Sequence, residues 1–118
     1  VAYMLKDFIA EETTKKKLTI EQIQSTVCKK YGVSMTQILS SERTQSIVTP
    51  RQLAMYIARK YTTNSLLEIA RKFEKEHATI IHGVKTISKR LDVENDLKSD
   101  LAEILAEFEY KISDILVK

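Results

Sequence analysis

Apolar positions recur along this chain at helical spacing. Ile20, Ile23, Val27 and Tyr31 fall on one face of a helix that Thr19 opens and Gly32 closes. Leu66, Ile69, Ala70 and Phe73 stand at i, i+3, i+4 and i+7. Ile80, Ile81, Val84, Ile87 and Leu91 are expected to face inward from a helix over about His77 to Leu91. Leu97, Leu101, Ile104, Phe108 and Ile115 continue the pattern in a last helix, and Leu5, Phe8 and Ile9 form a stripe over residues 2–12.

Helix starts are marked by a serine or threonine with glutamine or glutamate three residues on, the signature of a capping box. Thr19 with Gln22, Ser34 with Gln37, Thr49 with Gln52 and Ser65 with Glu68 all fit it. Thr49-Pro50 also puts proline at the first helical position, where its missing N–H costs nothing. That reading leaves Ser40 to Val48 as a polar loop and ends the helix near Tyr61. Glu74-Lys75-Glu76 is a tight polar break. The expectation is an all-α fold of about seven helices, with loops too short for sheet crossovers. Residues 1–17 are expected to form a linker helix and connector, and residues 18–118 the main domain.

Composition supports this. Only 2 glycines and 1 proline occur among 118 residues, so breakers are scarce. No apolar run has the length of a membrane span, and no signal-peptide pattern opens the sequence. A lone Cys28 points to a reducing, cytoplasmic setting and reads as a small core residue. Charge changes the picture more. The chain carries +3 overall, but residues 41–90 carry +6 and residues 91–118 carry −5. The basic middle is a candidate surface for a polyanion, and the acidic end is not.

The helices Ser65–Phe73 and His77–Leu91, joined by a three-residue break, have the outline of a helix-turn-helix. The second helix begins with small and polar residues, which allow close approach to base edges in a major groove. Lys85, Lys89 and Arg90 follow, placed to neutralise phosphates.

Three blocks extend this reading. They are Pro50-Arg51-Gln52-Leu53-Ala54-Met55-Tyr56, Ser65-Leu66-Leu67-Glu68-Ile69, and His77-Ala78-Thr79-Ile80-Ile81-His82. In that order and spacing they resemble the C-terminal DNA-binding domain of DnaA, the bacterial replication-initiator family, over about Thr19 to Leu91. The resemblance implies a Trp-repressor-like helix-turn-helix behind an N-terminal linker helix. It implies double-stranded DNA, the DnaA box, as partner. ATP would belong to a neighbouring ATPase region of the parent protein, with no cofactor in this chain. It places Arg43 in a minor groove, which its narrow, electronegative form favours. Arg51 and Gln52 would meet a phosphate from a helix start. Arg59, Thr62 and Thr63 match backbone contacts, with Lys85 further along. Leu67 stands where many members have a proline beside a thymine methyl. His77, Ala78 and Thr79 match the base-reading residues, and His82 the family's second histidine. Glu76 occupies the place of an aspartate. Its carboxylate is suited either to accept a hydrogen bond from a cytosine amino group or simply to cap the helix.

The sequence departs from the family pattern at the turn. Two glycines are usual before the recognition helix; here Glu74 stands alone and the turn is one residue shorter. Lys75-Glu76 replaces an Arg-Asp pair, and Ala78 replaces the first of two threonines. Glu42 and Gln45 stand where basic residues are common, so a weaker affinity is expected. Enzyme chemistry lacks its parts. There is no glycine-rich phosphate loop. His77 and His82 are five apart, and a helical metal pair needs four. Two rivals to origin binding are a helix-turn-helix transcriptional regulator and a protein-interaction module in which the acidic, amphipathic last helix docks on a partner without DNA.

Overall fold

The first described helix is built by its caps. Thr19 Oγ1 accepts from the Gln22 amide at 3.1 Å, and the Gln22 side chain accepts from the Thr19 amide at 2.9 Å. Gly32 closes the helix in the left-handed region, φ 67°, where a side chain would be strained. In the computed structural model the described residues are 18–117, with side chains described to Phe108. The expected linker helix at 2–12, the connector to Lys17, and the side chains of Glu109 and Ile115 lie outside them.

Six helices follow in order among the described residues: α1 (Ile20–Tyr31), α2 (Met35–Leu39), α3 (Gln45–Tyr61), α4 (Leu66–Phe73), α5 (His77–Val93) and α6 (Asn95–Val117). The fold is all-α, as expected, and no strand occurs among the described residues. The Ser34–Gln37 box opens α2 as read. At α4 the Ser65 hydroxyl accepts from the Glu68 amide at 3.1 Å, while the Glu68 carboxylate accepts from that hydroxyl rather than from the backbone.

The third box is a correction. α3 begins at Gln45, not at Pro50. The Thr44 carbonyl accepts from both the Ile47 and Val48 amides at 2.9 Å. The Thr49 hydroxyl accepts from Gln45 Nε2 at 3.1 Å and from Arg90 Nη1 at 2.9 Å, so it caps nothing. Pro50 sits in the second turn, where its missing N–H deprives only the Ser46 carbonyl of a helical partner. Ile47, buried to 4% exposure, draws the extra turn into the core.

α3 is the axis of the domain. It packs on α1, α2, α4 and α5, while α6 lies on α1 and α5. Its Leu53, Ala54, Met55, Ile57 and Ala58 join Ile20, Ile23, Val27, Ile38, Ile69, Phe73, Ile80 and Ile87 in one buried cluster. Cys28 is buried within it, and burial pushes its thiol pKa up. α6 is held by Leu97, Ile104 and Phe108 in the same cluster. It is also held by Tyr31 Oη donating to Asp100 at 2.7 Å, and by Lys30 paired with Glu103. The Tyr31 hydroxyl is pushed far up in pKa by burial and by this carboxylate. The apolar face of α6 as far as Phe108 therefore packs on its own domain. Among the described residues no helix is long and apolar enough to cross a membrane.

α5 crosses α3 closely because of Gly83. A Cβ there would lie 2.9 Å from Met55 Sδ and 3.4 Å from Gln52 Cγ. The inward stripe of α5 is Ile80, Gly83, Ile87 and Leu91, with Val84 half-buried. Ile81 was expected inside but is 42% exposed. Adjacent helical residues diverge by about 100°, so Ile80 and Ile81 cannot both face α3. The small residue in the stripe is Gly83.

The turn between α4 and α5 is of Schellman type. The Lys75 amide donates to the Ala70 carbonyl at 2.9 Å, and the Glu74 amide to Arg71 O at 3.1 Å. Glu74 takes the left-handed conformation, φ 54°, and is the described non-glycine residue that does so.

Two stability effects are expected. Gly83→Val should lower the free energy of unfolding by about 1–3 kcal/mol, because the branched side chain meets a fully buried methionine. Urea titration of both proteins measures it, and an unchanged midpoint would mean that the crossing has slack. Glu74→Gly should raise stability by about 0.5–1 kcal/mol, since the relief of left-handed strain exceeds the added freedom of the unfolded glycine. A melting temperature at or below the parent's would contradict it.

Candidate nucleic-acid interface

The first turn of α5 is presented outward. Glu76 is its N-cap, φ −80° and ψ 158°, and its carbonyl accepts from the Thr79 and Ile80 amides at 3.0 and 3.2 Å. The Glu76 side chain makes no capping hydrogen bond, which leaves its carboxylate exposed at the positive end of the helix. His77, Ala78 and Thr79 are exposed beside it. Leu67, 53% exposed in the first turn of α4, joins Ala70, Arg71, Lys75, Glu76, His77 and Ala78 around an open groove of about 450 Å³. A second hollow of about 250 Å³, further along α5, is lined by Arg59, Leu66, Ile81, Val84 and Lys85. His82 is exposed, with Nε2 3.5 Å from Thr86 Oγ1 one turn on. Glu76, His77 and Ala78 with Leu67 thus border one depression, and Ile81, Val84 and Lys85 with Arg59 a second, both lined by residues of one helix.

Other expected positions are used differently. Arg51 is not at a helix start; it lies in the second turn of α3, 7% exposed. Its Nε donates to Ile38 O at 2.8 Å, Nη1 to Glu42 O at 2.8 Å, and Nη2 to Gln37 O at 3.0 Å. A guanidinium committed to three carbonyls is not presented to a phosphate, and desolvation lowers its pKa. Gln52, in the same turn, is half-buried with its methylenes beneath Gly83. Thr62 ends α3: its hydroxyl donates to Ala58 O at 2.6 Å and accepts from the Asn64 amide at 3.2 Å. Thr63 next to it is exposed. Arg90, expected as a phosphate neutraliser, is spent on Glu94 through Nε at 2.7 Å and Nη2 at 3.0 Å, and on Thr49. That pairing holds the Glu94 carboxyl below its usual range.

Arg43 is exposed in the segment between α2 and α3, one residue after the Glu42 carbonyl that Arg51 holds. Arg59, Lys60, Arg71, Lys85 and Lys89 are likewise exposed and without ion-pair partners among the described residues. Two features escaped the sequence reading. Lys75 turns inward to Leu39 O at 2.8 Å, which no local pattern announces. The exposure of Ile81 was signalled by Gly83 occupying the stripe position expected of a larger residue.

The chain matches the model of the family described as "Bacterial dnaA protein helix-turn-helix" over residues 20–87, more than half its length. It is similar to the chromosomal replication initiator protein DnaA of Geobacter sp. (strain M21), 38% identical over 102 residues and 86% of this chain. The corresponding protein of Caldanaerobacter subterraneus subsp. tengcongensis is 36% identical over 86% of the chain. That of Zymomonas mobilis subsp. mobilis is 34% identical over 87%. The chain spans 22%, 23% and 23% of the length of these three relatives respectively. An exposed helix start behind a three-residue turn, on a scaffold of short capped helices, and a match running from the first residue of α1 into α5 agree: this chain belongs to the bacterial DnaA helix-turn-helix family.

Proposed function

We propose that the chain binds double-stranded DNA, as the module that anchors a larger ATP-dependent replication initiator to its origin boxes. The observation that carries this is the start of α5. An exposed Glu76, His77, Ala78 and Thr79 stand together at a helix N-terminus, and Arg71, Arg59 and Lys85, without ion-pair partners among the described residues, line the two depressions. A helix presented this way enters a major groove by its N-terminal end. Leu67 offers an apolar contact to a thymine methyl, and Arg43 the side chain for a neighbouring minor groove. Arg59 and Lys85 line one depression and, with the exposed Thr63 and His82, contact the sugar-phosphate backbone in this reading. The matched relatives are named replication initiators and are more than four times the length of the aligned segment, which leaves room for a neighbouring region where, in this reading, ATP is used. In this reading the present chain supplies binding, not catalysis, in the cytoplasm.

Within residues 41–90, Arg43, Arg59, Lys60, Arg71, Lys85 and Lys89 are the exposed cations without ion-pair partners among the described residues. Arg51, Lys75 and Arg90 are tied up inside the fold, and Lys72 is paired with Glu21. With about four to six phosphates neutralised, log K should fall with log salt at a slope of about −4 to −5. Titration of a labelled AT-rich duplex at several salt concentrations measures this, and a slope near zero would end the proposal. Selection of bound duplexes from a random pool then defines the box.

Glu76→Ala should relax discrimination at one cytosine without weakening binding to random duplex, which should tighten slightly as a negative charge leaves the interface. Competition by boxes substituted one base pair at a time reads this out. Undiminished discrimination at every position would reduce the carboxylate to a favourable charge at the helix end.

A further inference from the structure

Lys75 lies in the turn of the helix-turn-helix, where a lysine would ordinarily be assigned to a phosphate. It does something else. Its Nζ donates to the Leu39 carbonyl at 2.8 Å, across 36 residues of sequence. Lys75 is half-buried while its neighbours Glu74 and Glu76 are exposed.

The acceptor explains the reach. α2 has only five residues and no basic residue in its last turn. Of its final carbonyls, Gln37 O accepts from the Ser40 amide at 3.2 Å and the Ser40 hydroxyl at 2.7 Å, and the end as a whole is the negative end of a helix. Arg51 supplies donors to Gln37 O and Ile38 O, and Lys75 supplies the next, to Leu39 O. Arg51 then continues to Glu42 O, the residue before Arg43. Two cations drawn to one helix end repel each other and lose water. Burial first, and Arg51 second, accordingly lower the Lys75 pKa. The carbonyls hold both in place despite this.

We propose that Lys75 is a positioning residue that clasps the C-terminus of α2 to the turn before α5, fixing the Arg43 segment relative to the base-reading start of α5. The inference rests on the DNA-binding reading above. A chain of contacts runs from Glu76 through Lys75 to Leu39, and through Arg51 to Glu42 and Arg43. The side chain meant for the minor groove and the helix meant for the major groove are thereby held as one unit. Lys75 sets their spacing without touching DNA.

The test has an arm that needs no DNA. In free Lys75→Met, amide hydrogen exchange should quicken at Ser40 and Glu42, whose amides donate to Gln37 O at 3.2 Å and Ser40 Oγ at 3.2 Å. Exchange in α5 should be unchanged, and Lys75→Arg should restore protection. Unchanged exchange at Ser40 and Glu42 would overturn the clasp whatever the protein binds.

The second arm uses duplex DNA and begins with the parent protein. Failure of the parent to bind would end the functional reading and leave the exchange result standing. Where it binds, Lys75→Met should lose discrimination roughly 3- to 10-fold, only at the base pairs that Arg43→Ala also affects. The double variant should be no worse there than Arg43→Ala alone, since residues acting through one another are not additive. The salt slope should stay at the parent's value. A slope smaller by about 1, with affinity lost evenly over all sequences, would make Lys75 an ordinary phosphate contact. Full retention of discrimination would likewise overturn the proposal.

Discussion

The geometry of the candidate interface depends on how a five-residue helix is ended. α2 is too short to be stable by itself, and its last carbonyls cannot be left without donors inside the fold. Arg51 meets that need from the second turn of α3, with three nitrogens on three carbonyls of Gln37, Ile38 and Glu42. A guanidinium suits the task because it stays charged and its donors are fixed in a fork. Lysine at this position would satisfy one carbonyl where arginine satisfies three. The buried arginine therefore decides where the chain goes after α2, and so where Arg43 emerges.

Basic residues of the 41–90 segment, the Glu21-paired Lys72 aside, fall into two sets by what surrounds them. Arg51, Lys75 and Arg90 face carbonyls or a carboxylate and are part of the architecture. Arg43, Arg59, Lys60, Arg71, Lys85 and Lys89 face solvent with no ion-pair partner among the described residues. Formal charge by segment counts both sets alike. The +6 of residues 41–90 thus overstates what is presented to a polyanion. The correction lowers the expected number of phosphate contacts without altering the sign of the surface.

Much of this was legible in the sequence, for physical reasons. Capping boxes at Thr19 and Ser34, and the left-handed glycine at Gly32, are local chemistry that three or four residues decide. The inward stripes of α1, α4 and α6 follow from period alone. What failed was non-local. Thr49-Pro50-Arg51-Gln52 reads as a helix start because proline and a box agree there, yet buried Ile47 and the Arg90–Thr49 hydrogen bond carry the helix a turn earlier. Arg51 and Lys75 look like surface cations in a string of letters, and only the approach of α2 gives them carbonyls. Ile81 looks like core until Gly83 is seen to be the residue under Met55. At the interface, the outward positions from Glu76 to Thr79 were read from the turn and the period. Which cations remained free for a partner was not, because that depends on residues far apart in the chain.

The acidic last helix carries one more implication. α6 is pinned to α1 by Tyr31–Asp100 and Lys30–Glu103, with its apolar face in the core. Its described carboxylates are therefore carried on a helix that is anchored to the body of the domain. Toward any polyanion these carboxylates are repelled while the exposed cations of α5 are attracted. Encounters are then sorted before contact: wrong-way collisions separate quickly, and the domain is turned as it approaches. An acidic helix so placed would raise the fraction of productive encounters, an advantage that fades as salt shortens the reach of the field.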